Sequence, residues 1–232
     1  TRPCHPQATL DYTRMKLAAI IVAAGSSLRM GFDKLLATLA GKTVLQHSIQ
    51  AFVRCDEVTE IIVVCPRERF DALDLEISNK IIRRVYGGAD LHDSVAAGLA
   101  LLPAGTEYVA VHDGARPLIS SDQIARVLAT AVEHGGAASA RPVTETVKRA
   151  NAEGRVTESV SRDDLWLMET PQIFKADLLA DAYGVVQSKG ARVTDEVSAM
   201  ELVGHPTHLV NNPGPNPKIT YPEDIEQAEK FL

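Results

Sequence analysis

The feature that most constrains this chain is its rhythm: short β-branched apolar runs alternate with amphipathic stretches over most of its length. Such alternation implies parallel strands joined by helices, because parallel neighbours need a long crossover between them. Leu17–Val22 reads as the first strand, apolar throughout and so buried on both faces. The spacing of Val44, Leu45, Ile49, Phe52 and Val53 predicts a helix with Thr43 near its start. Residues 61–64 and 81–86 read as further strands, 94–102 as a helix, and 108–111 as a buried strand running into His112-Asp113-Gly114. A helix over 124–132 is closed by Gly135-Gly136. Beyond residue 175 the pattern predicts a helix over 176–187, a short one after Thr194, a strand at His208–Asn211 and a last helix over 222–231. Pro222, Glu223 and Asp224 suit that last helix start.

Residues 141–162 break the rhythm. Val143, Val147, Val156 and Val160 alternate with polar residues around the turn Asn151-Ala152-Glu153-Gly154, which predicts an extended β-hairpin projecting from the body. A two-stranded ribbon is marginal alone in water, so this arm is expected to pack against a second subunit. The fold class is therefore α/β, with a mostly parallel sheet and a protruding hairpin.

Composition bounds what such a domain does. At 232 residues, with 45% apolar and 23% charged residues, a sizeable core is buried without disulfides or a structural metal. Cys4, Cys55 and Cys65 form no C-x-x-C pair, which argues against a disulfide framework or a zinc ribbon. The net charge of −6 argues against a general nucleic-acid partner. Cations that hold an anionic ligand must then be concentrated locally. Residues 1–16 are polar, without the apolar core of an export signal, and read as an extension ahead of a domain over 17–232. No apolar stretch approaches the roughly 18 residues of a membrane span. The expectation is a cytoplasmic protein with no membrane partner.

In an open parallel sheet, ligands bind at the carboxyl ends of the strands. After the first strand come Ala23, Ala24 and Gly25, small enough for backbone N–H groups to approach phosphates, then Arg29 and Lys34 as local cations. This is neither a Walker A loop nor a G-x-G-x-x-G fingerprint. A tight turn with two solvated charges explains Ala-Ala-Gly alone; the two cations favour phosphate. Asp113 stands at another strand end, where a carboxylate can hold Mg²⁺ against phosphate oxygens, although an Asp113 turn paired with Arg116 fits the same letters. His112, without a partner for a triad, reads as structural. Gly87-Gly88 permits close approach to a flat base, and Ser94 offers a hydroxyl; a plain turn capped by Asp93 is nearly as good an account. Among the late residues, Thr194 reads most simply as an N-cap and Lys218 as a surface charge.

Seven segments in order, AAGSSLRM…DK, GG…DSVAAGL, VHDGARP, VTETVKR, LWLMETPQIF, TDEVSAMEL and KITYPEDI, make the chain resemble the 2-C-methyl-D-erythritol 4-phosphate cytidylyltransferases from about residue 17 to residue 232. The resemblance implies a single Rossmann-like nucleotidyltransferase domain whose 141–162 arm builds a homodimer. It implies that Ala23, Ala24 and Gly25 hold CTP, that Arg29 and Lys34 grip its triphosphate, and that Gly88 and Ser94 lie near cytosine and ribose. It further implies Asp113 as the Mg²⁺ ligand with Arg116 beside it, and Arg162 and Lys218 as the pair that positions the polyol phosphate. Thr146, Thr170 and Thr194 would line that acceptor's site, with Thr146 and Arg162 supplied by the partner's arm.

The chemistry agrees with the lack of a nucleophile–base pair. A phosphate monoester, with a second pKa of about 6, is already mostly dianionic at neutral pH. Catalysis then reduces to positioning and charge neutralisation as pyrophosphate departs in line. The chain departs from the family pattern at Ser27 (usually Gly), Asp33 (usually Pro), Leu91 (commonly Arg) and Pro215-Asn216-Pro217, where an acid is frequent. Rival readings keep the reaction with another acceptor such as ribitol 5-phosphate, or a molybdenum-cofactor nucleotidyltransferase suggested by Ser27-x-Arg29-Met30-Gly31-x-Asp33-Lys34. The TPQ, TDE and KITYPEDI segments argue against the latter. A non-catalytic nucleotide-binding homologue has no need of Arg29, Lys34, Asp113, Arg162 and Lys218 together.

Overall fold

A computed structural model describes residues 15–25, 31–75, 80–88 and 90–232. In chain order the elements are β1 (Leu17–Val22), β2 (Thr38–Leu39), β3 (Lys42–Thr43), α1 (Val44–Arg54), β4 (Val58–Val64), α2 (Arg67–Asp71), β5 (Ile81–Val85), α3 (Leu91–Leu99) and β6 (Tyr108–Asp113). There follow α4 (Ser121–His134), β7 (Gly136–Pro142), β8 (Val147–Ala150), β9 (Val156–Val160), β10 (Trp166–Lys175), α5 (Ala176–Lys189), α6 (Glu196–Leu202), β11 (His208–Asn211) and α7 (Pro222–Glu229).

Seven strands form one sheet in the order β11-β7-β10-β6-β1-β4-β5. β1 runs parallel to β4 and β6, β4 to β5, and β11 to β7; β10 is antiparallel to both its neighbours. The mostly parallel α/β expectation therefore holds. Side chains alternate across the sheet, as the pleat requires. Leu17, Ala19 and Ile21 of β1 join Ile61, Val63 and Ala110 in a core shared with α1 and α4. Ile20, Ile62, Val64, Val109 and Val111 face the other way, against α3, α5 and α6. Buried on both faces, these strands are apolar runs for the reason the sequence suggested.

Thr43 caps α1 through a reciprocal capping box with Gln46, at 3.1 and 2.7 Å. Gly135 ends α4 at φ 89°, in the left-handed region. Two boundaries differ from expectation. α3 starts at Leu91, not at residue 94, so Asp90 is the N-cap and Asp93 lies inside the first turn, accepting the Asp90 N–H at 3.2 Å. α6 is capped by Asp195, not Thr194, because the Asp195 carboxylate accepts the Ser198 N–H at 3.0 Å.

The predicted hairpin is present as β8 and β9, which pair in register from Val147↔Val160 and form a sheet of their own. Its root continues β7 and β10, through Leu167↔Arg141, Trp166↔Pro142 and a Val143 N–H donated to Leu165 O at 2.9 Å. At the other end of the chain, Met15 packs against the core and the Lys16 carbonyl accepts the Glu107 and Tyr108 N–H groups at 3.0 and 3.2 Å. The fold thus reaches two residues into the segment read as an extension; residues 1–14 lie outside the described ones. No helix among the described residues is long and apolar enough to cross a membrane.

Phe52 is fully buried on α1, its ring 5.0 Å from that of His112. Phe52→Ala should cost about 3–5 kcal/mol in urea unfolding; a loss under about 1 kcal/mol would mean that α1 does not seal this face of the sheet.

Candidate active site

The carboxyl ends of β1 and β6 open into a cleft of about 450 Å³. Ala23, Ala24, Gly25, Lys34, Gly88, Ser94, Asp113 and Lys218 all line it, so eight residues singled out in sequence meet in one place. Gly114 lets the chain turn close beneath them. Its N–H donates to Val22 O at 2.9 Å, and a Cβ there would stand 2.9 Å from Leu45 Cδ1.

Asp113 is the hub. One carboxylate oxygen accepts from Lys218 Nζ at 2.9 Å and the other from Arg116 Nε at 3.2 Å. Burial alone would raise its pKa, but Lys218 and Arg116 outweigh that and hold it below the usual carboxylate value. The group is therefore a fixed negative charge at neutral pH. Arg116 also donates to Asn216 O at 2.7 Å, tying Asp113 to the segment that carries Lys218. Behind the carboxylate, the Thr170 hydroxyl accepts the Asp113 N–H at 3.0 Å and contacts His112 Nδ1 at 2.9 Å. His112 Nε2 lies 3.2 Å from Arg116 O, which can only accept, so Nε2 carries the proton and Nδ1 accepts from Thr170. Burial pushes the His112 pKa down to about 4. Neutral and fully buried, His112 is structural, as expected.

An Asp113 carboxylate with four lone-pair sites and two cationic partners retains acceptor capacity for a hard cation. It fits Mg²⁺ as one oxygen ligand among phosphate oxygens. Asp90, His92 and Asp93 also bring possible ligand atoms within 4.8 Å of one another, but Asp93 is spent on the α3 cap.

Lys34 Nζ donates to Ile219 O at 2.7 Å, next to Lys218, so two cations from distant segments converge beside Asp113. Asp33 accepts the Leu35 N–H at 3.1 Å and pairs with Arg69 Nε at 2.8 Å. Arg69, on α2, is nearly buried and donates to the carbonyls of Ala23 and Gly25 as well. Nothing in the sequence reading drew attention to it, because a five-residue helix has no periodicity to detect. Arg29 lies outside the described residues.

Gly87 packs so closely that a Cβ would meet Ala24 Cβ at 2.3 Å and Ser94 Oγ at 2.7 Å. The Ser94 hydroxyl donates to Asp90 O at 3.2 Å and is almost wholly buried, leaving acceptor capacity on that oxygen. The acceptor-side residues are more scattered. Thr146 and Arg162 sit exposed at the root of the arm, where Arg162 donates to Thr144 O, and neither lines the cleft. Thr194 is exposed beside Asp195, and Asp195 accepts from Gln172 at 3.1 Å. Glu169, buried next to Thr170, accepts from Asn212 and Asn216 at 2.9 and 3.0 Å and pairs with Arg141 at 3.5 Å. It links the arm's root to the segment carrying Lys218.

The family model for IspD, 2-C-methyl-D-erythritol 4-phosphate cytidylyltransferase, matches residues 17–232. The chain belongs to this family. The 2-C-methyl-D-erythritol 4-phosphate cytidylyltransferase of Pseudoalteromonas atlantica is 40% identical over 219 residues, covering 92% of this chain and 94% of the relative. That of Desulforamulus reducens is 38% identical over 223 residues, covering 93% and 95%. Among solved structures, 4-diphosphocytidyl-2C-methyl-D-erythritol synthase from Anaerococcus prevotii superposes with a TM-score of 0.82 at 29% identity, covering 94% of this chain and 96% of that one. The cytidylyltransferase family fold is thus shared, and Asp113, Lys34 and Lys218 sit in its cleft.

Glu196 of this cytidylyltransferase-family chain is buried, and desolvation raises its pKa to about 7 against an ordinary 4.5. A folded-state pKa above the unfolded one means that the folded protein binds the extra proton between pH 4.5 and about 7, so this group's contribution falls as pH rises through that window. Its Tyr183 partner, at 3.1 Å, is held protonated throughout. Glu196→Gln should therefore be better tolerated at pH 8 than at pH 5, by up to about 3 kcal/mol in urea unfolding. A difference independent of pH would show that Glu196 titrates normally.

Proposed function

We propose that this chain transfers CMP from CTP to 2-C-methyl-D-erythritol 4-phosphate, releasing pyrophosphate and giving 4-diphosphocytidyl-2-C-methyl-D-erythritol for isoprenoid precursor synthesis. The observation that carries this reading is the convergence of Lys34, Lys218 and Asp113 in one cleft of a chain whose family match runs from residue 17 to residue 232. Ala24 and Gly25 offer backbone N–H groups to the triphosphate, beside Ala23, whose own N–H is donated to Val64 O at 2.9 Å, and Lys34, with Arg29, neutralises it. Gly88 and Ser94 face the nucleoside. Asp113, oriented by Arg116, would hold Mg²⁺, which would supply charge neutralisation at the phosphate oxygens. Lys218 and Arg162 orient the acceptor phosphate, with Thr146 and Thr194 around it, while Thr170 acts from behind Asp113, its hydroxyl spent on His112 and the Asp113 N–H.

No general base is needed, since the acceptor phosphate is already dianionic; the residues act by position and charge. Lys218 Nζ sits on Asp113, and turnover requires it to share or leave that partner for the incoming phosphate. Arg162 and Thr146 reach a cleft only if a second copy's arm delivers them, so the active unit is a homodimer joined through 141–162. Cytoplasmic location goes with a substrate pair of soluble phosphates.

The test is pyrophosphate release with CTP, Mg²⁺ and each of 2-C-methyl-D-erythritol 4-phosphate and ribitol 5-phosphate. Activity with the former alone is expected; activity only with ribitol 5-phosphate, only with GTP, or with neither acceptor would each overturn the assignment. Lys34→Ala should lower turnover by about 10²–10³-fold while the protein stays folded. Arg162→Ala should raise the KM for the acceptor far more than that for CTP; equal changes would remove it from the acceptor's site.

A further inference from the structure

Arg69 is a buried guanidinium that touches the nucleotide loop from behind. Its Nε pairs with Asp33 Oδ2 at 2.8 Å, one residue before Lys34. Its terminal nitrogens donate to Ala23 O and, at 3.5 Å, to Gly25 O. Only 8% of the residue is exposed, and it does not line the cleft. One planar fork therefore holds both the backbone that leaves β1 and the residue preceding the cleft lysine.

A trans peptide sets C=O and N–H on opposite sides of its plane. With the Ala23 carbonyl turned towards Arg69, the N–H of Ala24 must point away from it. Asp33 is fixed twice, by Arg69 and by the Leu35 N–H at 3.1 Å, so the start of the Lys34 side chain is anchored on the same support. We infer that Arg69, together with Asp33, is a positioning residue for the nucleotide: it sets the Ala23–Gly25 backbone and Lys34 at a fixed mutual distance. The inference rests on the reading of this loop as the CTP site. A lysine cannot reproduce it, since one ammonium does not span a carboxylate and two carbonyls in a plane.

The experiment compares wild type, Arg69→Met, Arg69→Lys, Asp33→Asn and the Asp33→Asn/Arg69→Met double variant. CTP affinity with Mg²⁺ is measured by calorimetry without acceptor, and KM for each substrate from pyrophosphate release. Arg69→Met should weaken CTP at least tenfold and leave the acceptor's KM within about twofold. Arg69→Lys and Asp33→Asn should fall between it and wild type. The double variant should lose no more than Arg69→Met alone, as expected of two residues acting as one unit. Asp33 is partly exposed, so its variant keeps the test usable if Arg69→Met fails to fold. Wild-type CTP affinity in Arg69→Met or in Asp33→Asn, or equal shifts in both KM values, overturns the inference while leaving the function intact. A wild type that binds CTP but transfers nothing to the acceptor sinks the functional reading alone, and one that binds no CTP sinks both.

Discussion

Two polyanions repel each other, and any protein that brings them together must keep cations in place before they arrive. Here the cations are kept by Asp113. Its two carboxylate oxygens hold Lys218 and Arg116, and Arg116 in turn grips the backbone of Asn216. The carboxylate stays ionised because these partners outweigh its burial. Remove that charge, and Lys218 loses the carboxylate it rests on, while the segment from Asn216 to Ile219 stays held by the Ile219 N–H on Ala115 O at 2.8 Å and by Asn216 on Glu169. Lys34 in turn rests on Ile219 O, so the same segment carries one cleft lysine and supports the other.

The sheet makes this possible. β1 and β6 are adjacent and parallel, with Val22 opposite Asp113, so the loops leaving them open side by side. β10 enters antiparallel and brings Thr170 under Asp113 and His112. That one reversed strand also brings the chain back from the arm, beside β7, which leads out to it, so the hairpin and the carboxylate hub share a foundation. Glu169 couples the two through Arg141 on one side and Asn216 on the other.

Much of this was legible in the sequence, for physical reasons. β1 and β11 were located to the residue, the former because burial on both faces leaves a continuous apolar run. The cleft residues after β1 and β6 were found because strand ends are where chemistry collects in such sheets. β7 was missed: Gly136-Ala137-Ala138-Ser139-Ala140 has little intrinsic strand preference and is extended because β10 and β11 pair with it on both sides. α3 was placed three residues late because Asp93 looks like a cap, whereas Asp90 has that position. Thr194 offers the same capping chemistry as Asp195 one residue earlier, and the helix uses the carboxylate. Arg69 and Glu169 were invisible, since an isolated charge in sequence reads as solvent-exposed until the fold buries it.

The cleft also bears on how the protein behaves among the many phosphates of a cell. Its described cations already sit against the protein's own oxygens, Lys218 on Asp113 and Lys34 on a main-chain carbonyl. An arriving anion must exchange partners with them, and only one shaped to satisfy both sides of the exchange gains by it. Stray polyphosphates and nucleic acids meet a molecule of net charge −6 whose described cleft lysines already hold partners. Selectivity here begins with the partners that the cleft lysines must exchange.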